Sequence, residues 1–193
     1  MEMNNRELGL RVQKLFLSEL SDKYIYHGWE HTCDVLMACR LHLKVNPDLL
    51  LFSSELEAAA LLHDTGIVRG MDGHEEKSVS IAHEWLPALG FSSRQVELVT
   101  SLILSTRMPQ NPKTLLECII CDADLDYLGT DKYEILSNRL FLELSGLGDV
   151  QDLSSWRTLQ IQFLQQHRYH TQFAQLHRQP VMEKHLENLL LKL

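Results

Sequence analysis

Apolar side chains return every three or four positions along most of this chain, and sustained alternation of apolar and polar residues is missing, so the pattern predicts helices and no sheet. Residues 5–20 set Leu8, Val12, Leu15, Phe16 and Leu20 on one stripe. A second helix should start at Trp29 and run to about Lys44, with Val35, Leu36, Cys39 and Leu43 inward, and stop before the breaker Asn46-Pro47. Ser54 and Glu57 have the spacing of a capping box for a third helix, which closes on His63-Asp64. The stretch 65–73 has three glycines in nine residues and predicts a loop. A helix over 75–89 follows, stopped by Gly90 in a left-handed cap, and another opens on Ser92 and Gln95 and runs to about Ser105. Residues 107–113 contain two prolines and form a connection. Beyond it, helices are predicted over 114–128, 132–144, 153–176 and 181–191. With no internal repeat and no linker, the expectation is one all-α domain spanning 1–193.

Composition narrows the function. A chain of 193 residues is long enough to bury a substantial core. Its 26 acidic residues outnumber 18 Lys and Arg, for a net charge of −8, which argues against a footprint on a nucleic-acid polymer. A small phosphorylated molecule is still compatible, because a single cation and a few local donors can hold it. Charges interrupt residues 1–20 and rule out the pattern of a signal peptide, and no apolar run is long enough to span a bilayer. The expected location is cytoplasmic. Cys33, Cys39, Cys118 and Cys121 lie in apolar helical surroundings, as reduced core thiols do, and Cys118 with Cys121 lacks the second pair that a zinc site would need. Leu186, Leu189, Leu190, Leu191 and Leu193 either close the core or join a second copy, so a homodimer stays open.

Three segments carry candidate chemistry. Asp64 falls at the carbonyl end of a helix, where the macrodipole opposes a carboxylate, and a bound cation would compensate. Upstream lies Tyr26-His27-Gly28-Trp29-Glu30-His31-Thr32, and downstream the cluster Asp122-Ala123-Asp124-Leu125-Asp126, whose carboxylates are costly to bury without a counter-charge. His31, His63, Asp64 and Asp122 together can form a mixed nitrogen and oxygen site for a divalent metal. Mn, Fe, Ni, Co, Zn and Mg are all candidates. Adjacent helix positions are about 100° apart, so His63 and Asp64 can aim at one ion only where the helix ends.

The order His, His-Asp, distant Asp resembles the HD superfamily of metal-dependent phosphohydrolases. The likeness rests on the segments just quoted, on Leu61-Leu62-His63-Asp64-Thr65-Gly66 and on His74-Glu75-Glu76-Lys77-Ser78, and covers about residues 24–130. It implies an all-helical HD domain and hydrolysis of a small phosphate ester, nucleotide or related metabolite, by metal-activated water. It gives His31, His63, Asp64 and Asp122 the ligand role, with Asp124 as the alternative carboxylate. Asp64 would also orient the attacking water. A Tyr-His motif in cyclic-nucleotide phosphodiesterases, distant relatives, makes His27 the candidate proton donor. His74 and Lys77 would face the substrate phosphate or a second ion, with Lys77 also counted among the catalytic groups. Arg69 and Arg107, in expected loops, are the remaining phosphate-binding candidates. The alternatives are a cyclic-nucleotide phosphodiesterase and a non-catalytic module that binds a metal or a nucleotide. His167, His170 and His177, in a polar helix, read as surface imidazoles.

Overall fold

The computed structural model describes residues 2–192, and its regular structure is entirely helical among them. The described residues form two compact units. The first comprises residues up to Ser21 together with His27–Asp124, and the second comprises Asp22–Tyr26 and the residues from Leu125 onward.

In the first unit, α1 (Glu2–Glu19) buries Leu8, Val12 and Phe16, the stripe expected from their spacing. The helix α2 (Trp29–Val45) turns Val35, Ala38, Cys39 and Leu43 inward. A 3₁₀ turn over Pro47–Phe52 leads into α3 (Ser53–Leu62), whose Leu56, Ala58, Ala59, Ala60, Leu61 and Leu62 are all buried. A helix buried on most of its faces is a central helix, and α3 packs against α1, α2, α4 (His74–Ala88), α5 (Ser93–Ser105) and α6 (Leu115–Asp124). The site residues at its end are thereby held from several sides.

The predicted capping signals met different fates. Ser92 and Gln95 form the expected box at the start of α5. Gly90 ends the preceding helix at φ +83°, where a side chain would be strained. Ser54 and Glu57 form no box: α3 has no side-chain cap, and Glu57 is instead gripped by the Arg40 guanidinium at 2.7 and 3.1 Å. The helix begins at Ser53 with Phe52 in the cap position, so Ser54 lies inside the first turn rather than at the position a capping box requires.

The second unit contains α7 (Tyr133–Leu147), α8 (Leu153–Gln166), α9 (Gln172–His177) and α10 (Gln179–Leu190). Its core is Leu128, Tyr133, Leu164, Tyr169, Ala174 and Met182, with Leu186 and Leu189 packed against it. Of the carboxy-terminal leucines, Leu190 and Leu191 stay exposed. The helix expected over 153–176 is broken after Gln166. His167 adopts an extended backbone, Tyr169 turns inward and donates its hydroxyl to the Leu125 carbonyl at 3.0 Å, and Thr171 caps α9 by accepting from the Ala174 amide. Burying Tyr169 and capping a new helix outweigh the backbone bonds lost in the break.

Candidate metal centre

The end of α3 builds the centre. His63 keeps helical backbone angles and donates its amide to the Ala59 carbonyl, whereas Asp64 leaves the helix with φ −104° and ψ 2°. The two side chains can therefore converge, as neighbours within a helix could not. The Nδ1–H of His63 is committed to the Ala60 carbonyl at 2.9 Å, so Nε2 points inward, 3.3 Å from His31 Nε2 and 3.2 Å from Asp64 Oδ2. His31 comes from the first turn of α2, and its Nε2 lies 3.5 Å from Asp64 Oδ2.

The fourth group is Asp124, the last residue of α6: its Oδ1 stands 3.1 Å from His31 Nε2 and 3.5 Å from His63 Nε2. Asp122, the ligand named in the sequence reading, is not part of this convergence. It sits two positions earlier, about 200° round the helix, and is fully buried. The switch follows from where α6 stops. A helix continuing to Leu128 leaves the choice within the acidic cluster open, but α6 ends at Asp124 and gives way to a 3₁₀ turn over Asp126–Gly129. Asp126 is held by Arg178 at 2.7 Å.

Oδ2 of Asp64 is buried and accepts no hydrogen bond among the described residues, an unusual state for a carboxylate oxygen. His31, His63 and Asp124 each offer one atom close enough to share an ion. Two imidazoles and two carboxylates are a donor set suited to a divalent first-row metal, and the orphaned oxygen aimed among them fits such an ion. Burial opposes charge on His63, but Asp64 and then Asp124 outweigh it and hold its pKa well above the usual imidazole range. Burial likewise opposes ionisation of Asp124, and hydrogen bonds from His31 and His63 overcome it and bring the carboxyl down to about 2. A cation bound at this point would compete with a proton on His63 for the same carboxylates.

Beside the ligands, His74 opens α4 and sets Nε2 3.3 Å from Asp64 Oδ1, while its Nδ1 donates to the Met71 carbonyl at 2.9 Å. Burial opposes its charging too, but the hydrogen bond to Asp64 raises its pKa to about 9. His27 precedes the Gly28 that caps α2, so it is off the helix, with its ring 6.0 Å from that of His31 and 6.2 Å from that of His74.

The other candidates have different partners. Lys77 Nζ donates to the carbonyls of Arg69, Gly70 and Asp72 at 3.1, 3.0 and 2.7 Å, which occupies its three protons on the loop. Its ammonium is therefore a clamp on residues 69–72 and not a donor held ready for phosphate. Arg107 is in an ion pair with Glu76 on the surface. Arg69 is exposed on the clamped loop.

Sequence reasoning did not single out Ser78, whose Oγ donates to the His63 carbonyl at 2.7 Å and accepts from the Gly66 amide at 2.8 Å, tying α4 to the His-Asp corner. Its signal was a serine on the inward face of α4 beside Ile81 and Ala82. A Cβ on Gly66 would stand 2.0 Å from the His74 carbonyl oxygen and 2.6 Å from Lys77 Cβ, so only glycine allows this approach.

Three helices that deliver His, His-Asp and Asp to one buried point define an all-helical domain with a metal-type centre. A family model described as the HD domain matches residues 28–126, about half of the 193-residue chain, and the chain belongs to that family. No curated protein and no solved structure matches it.

Proposed function

We propose that this protein is a divalent-metal-dependent hydrolase of a small phosphate ester, nucleotide-like in chemistry, with His31, His63, Asp64 and Asp124 holding the ion. The observation that carries the reading is the buried Asp64 carboxylate, whose Oδ2 lacks a hydrogen bond among the described residues while two imidazoles and a second carboxylate gather beside it. When bound, the ion would acidify a water and offset charge on the phosphoryl group. The chain's own residues account for the remainder. Asp64 orients the attacking water through the oxygen that also faces His74. His27, beside His31 and His74, is placed to give a proton to the departing oxygen. Lys77 keeps the Arg69–Asp72 loop in place, and with it the Met71 carbonyl that orients His74. Arg69, exposed on that loop, is the candidate contact to phosphate.

The test is turnover of a panel of nucleotides, cyclic nucleotides and simple phosphate esters with Mn²⁺, Mg²⁺, Ni²⁺, Co²⁺, Fe²⁺ or Zn²⁺, alongside metal content by elemental analysis. Hydrolysis that requires a metal and vanishes in His63→Ala and Asp64→Ala is expected. Metal bound stoichiometrically with no turnover of any phosphate ester would overturn the enzymatic reading in favour of a non-catalytic module.

A further inference from the structure

The second unit contains a cleft of about 230 Å³ lined by α7, α8 and α10. Its floor is polar where plain packing would call for apolar residues. Tyr133 and Ser137 are buried, and Gln160 Nε2 donates to both hydroxyls, reaching Tyr133 at 2.8 Å. That leaves Gln160 Oε1 without a donor among the described residues. The His185 ring stacks on Tyr133 with centroids 4.5 Å apart and is locked by a hydrogen bond from Nε2 to the Thr130 carbonyl at 2.9 Å. Trp156, steadied against Phe141, supplies a second aromatic wall. The cleft also takes in Arg157, whose guanidinium donates to the Lys192 carbonyl, and Lys192, whose ammonium is 3.8 Å from Glu134. Two cations against one carboxylate make this cleft locally positive on a chain of net charge −8.

We propose that this cleft is a second binding site, for a planar heteroaromatic ring that carries an anionic group, the chemistry of a nucleoside monophosphate. The aromatic walls suit the faces of the ring. Gln160 reads its polar edge, because a carboxamide already anchored on two hydroxyls presents its free end at a fixed angle. Arg157 meets the anionic group with donors its backbone contact leaves over. The open cleft has room for a base with its sugar, and its open side leaves the anionic group free to reach Arg157. None of these residues belongs to the metal centre, so the proposal stands apart from the hydrolase reading.

The experiment is isothermal titration of the full chain with adenosine and guanosine 5′-monophosphates and with inorganic phosphate, in chelator so that the metal centre contributes nothing. Saturable nucleotide binding is expected in the wild type and in His63→Ala. It should weaken at least about tenfold in Gln160→Leu and in Asn138→Arg, a change at an exposed position lining the cleft that fills it without touching the core. Absence of saturable binding at millimolar nucleotide would overturn the proposal. So would binding unaffected by Asn138→Arg, or inorganic phosphate binding as tightly as the nucleotides, which would reduce the site to a simple anion contact.

Discussion

Asp124 presents the carboxylate that His31 and His63 share, its Oδ1 standing 3.1 and 3.5 Å from their Nε2 atoms. His63-Asp64 was legible because adjacent ligands require a helix end, and the apolar run before them and the glycine after them marked one. The choice between Asp122 and Asp124 was not legible, because it depends on where α6 stops, and helix ends are the least determined feature of a sequence pattern. The structure makes the difference testable. Asp124→Asn should lower metal affinity by more than about tenfold, since it removes the carboxylate shared by His31 and His63. Asp122→Asn should leave metal affinity within about twofold, at some cost in stability from altering a buried carboxylate. Calorimetric titration with Mn²⁺ distinguishes them, and the reverse ranking would return the ligand role to Asp122. At Lys77 the residue type suggested phosphate, but the three carbonyls it caps lie within eight positions on its own loop, a local clamp with no periodic signature. Lys77→Met should cost about 1–2 kcal/mol in urea unfolding and both lower kcat and raise KM, because it loosens the loop that orients His74 and carries Arg69.

At the level of elements, the helices of the first unit followed from apolar periodicity, and what escaped was the contact that locks two of them together. The 3₁₀ turn Thr65–Arg69 was expected only as a loop, yet Thr65, Gly66 and Ile67 are buried in it. Its glycine reads as flexibility in one dimension and serves close approach in three. Gly66→Ala should therefore destabilise the protein by about 3 kcal/mol, because the added methyl would meet the His74 carbonyl oxygen, the Ser78 amide nitrogen and Lys77 Cβ of α4, which have little room to give. Ser78→Ala, which leaves the buried Gly66 amide without its acceptor, should cost about 1–3 kcal/mol. Thermal unfolding of both variants checks this, and a neutral Gly66→Ala would show that the corner yields. In the second unit, the break between α8 and α9 escaped because Gln165, Gln166, Gln172 and Gln175 continue a polar helical pattern straight through it. Only the inward turn of Tyr169, held at the Leu125 carbonyl by a residue 44 positions away, supplies the reason to stop.

Across the whole molecule, the all-helical class and the family were legible, and the division of the described residues into two compact units was not. Each unit has its own handle on stability. In the first, a metal that binds only the folded centre should raise stability by about 2.7 kcal/mol at a hundredfold excess over its dissociation constant. In the second, the handle is acid. His167 was expected at the surface, but it is stacked against Phe163 at 5.7 Å and edge-on to Tyr169 at 4.8 Å, and its buried Nε2 has no hydrogen-bond partner among the described residues. Burial, then the nearby His170 and Arg168, push its pKa down to about 4. Above pH 6.5 the imidazole is neutral whether the unit is folded or not, and it contributes nothing to the pH dependence. As pH falls below that value the unfolded chain takes up a proton that the folded unit refuses, so stability drops, by about 2 kcal/mol at pH 5 and about 3 kcal/mol near pH 4. His167→Phe keeps a ring between Phe163 and Tyr169 and removes the titration, so its stability should exceed that of the wild type by a margin that widens by those amounts from pH 7 to pH 4. Trp156 fluorescence reports on this unit in urea titrations, with Trp29 and Trp85 of the first unit replaced by phenylalanine. A constant margin across that range would mean that His167 is protonated as readily in the folded unit as outside it.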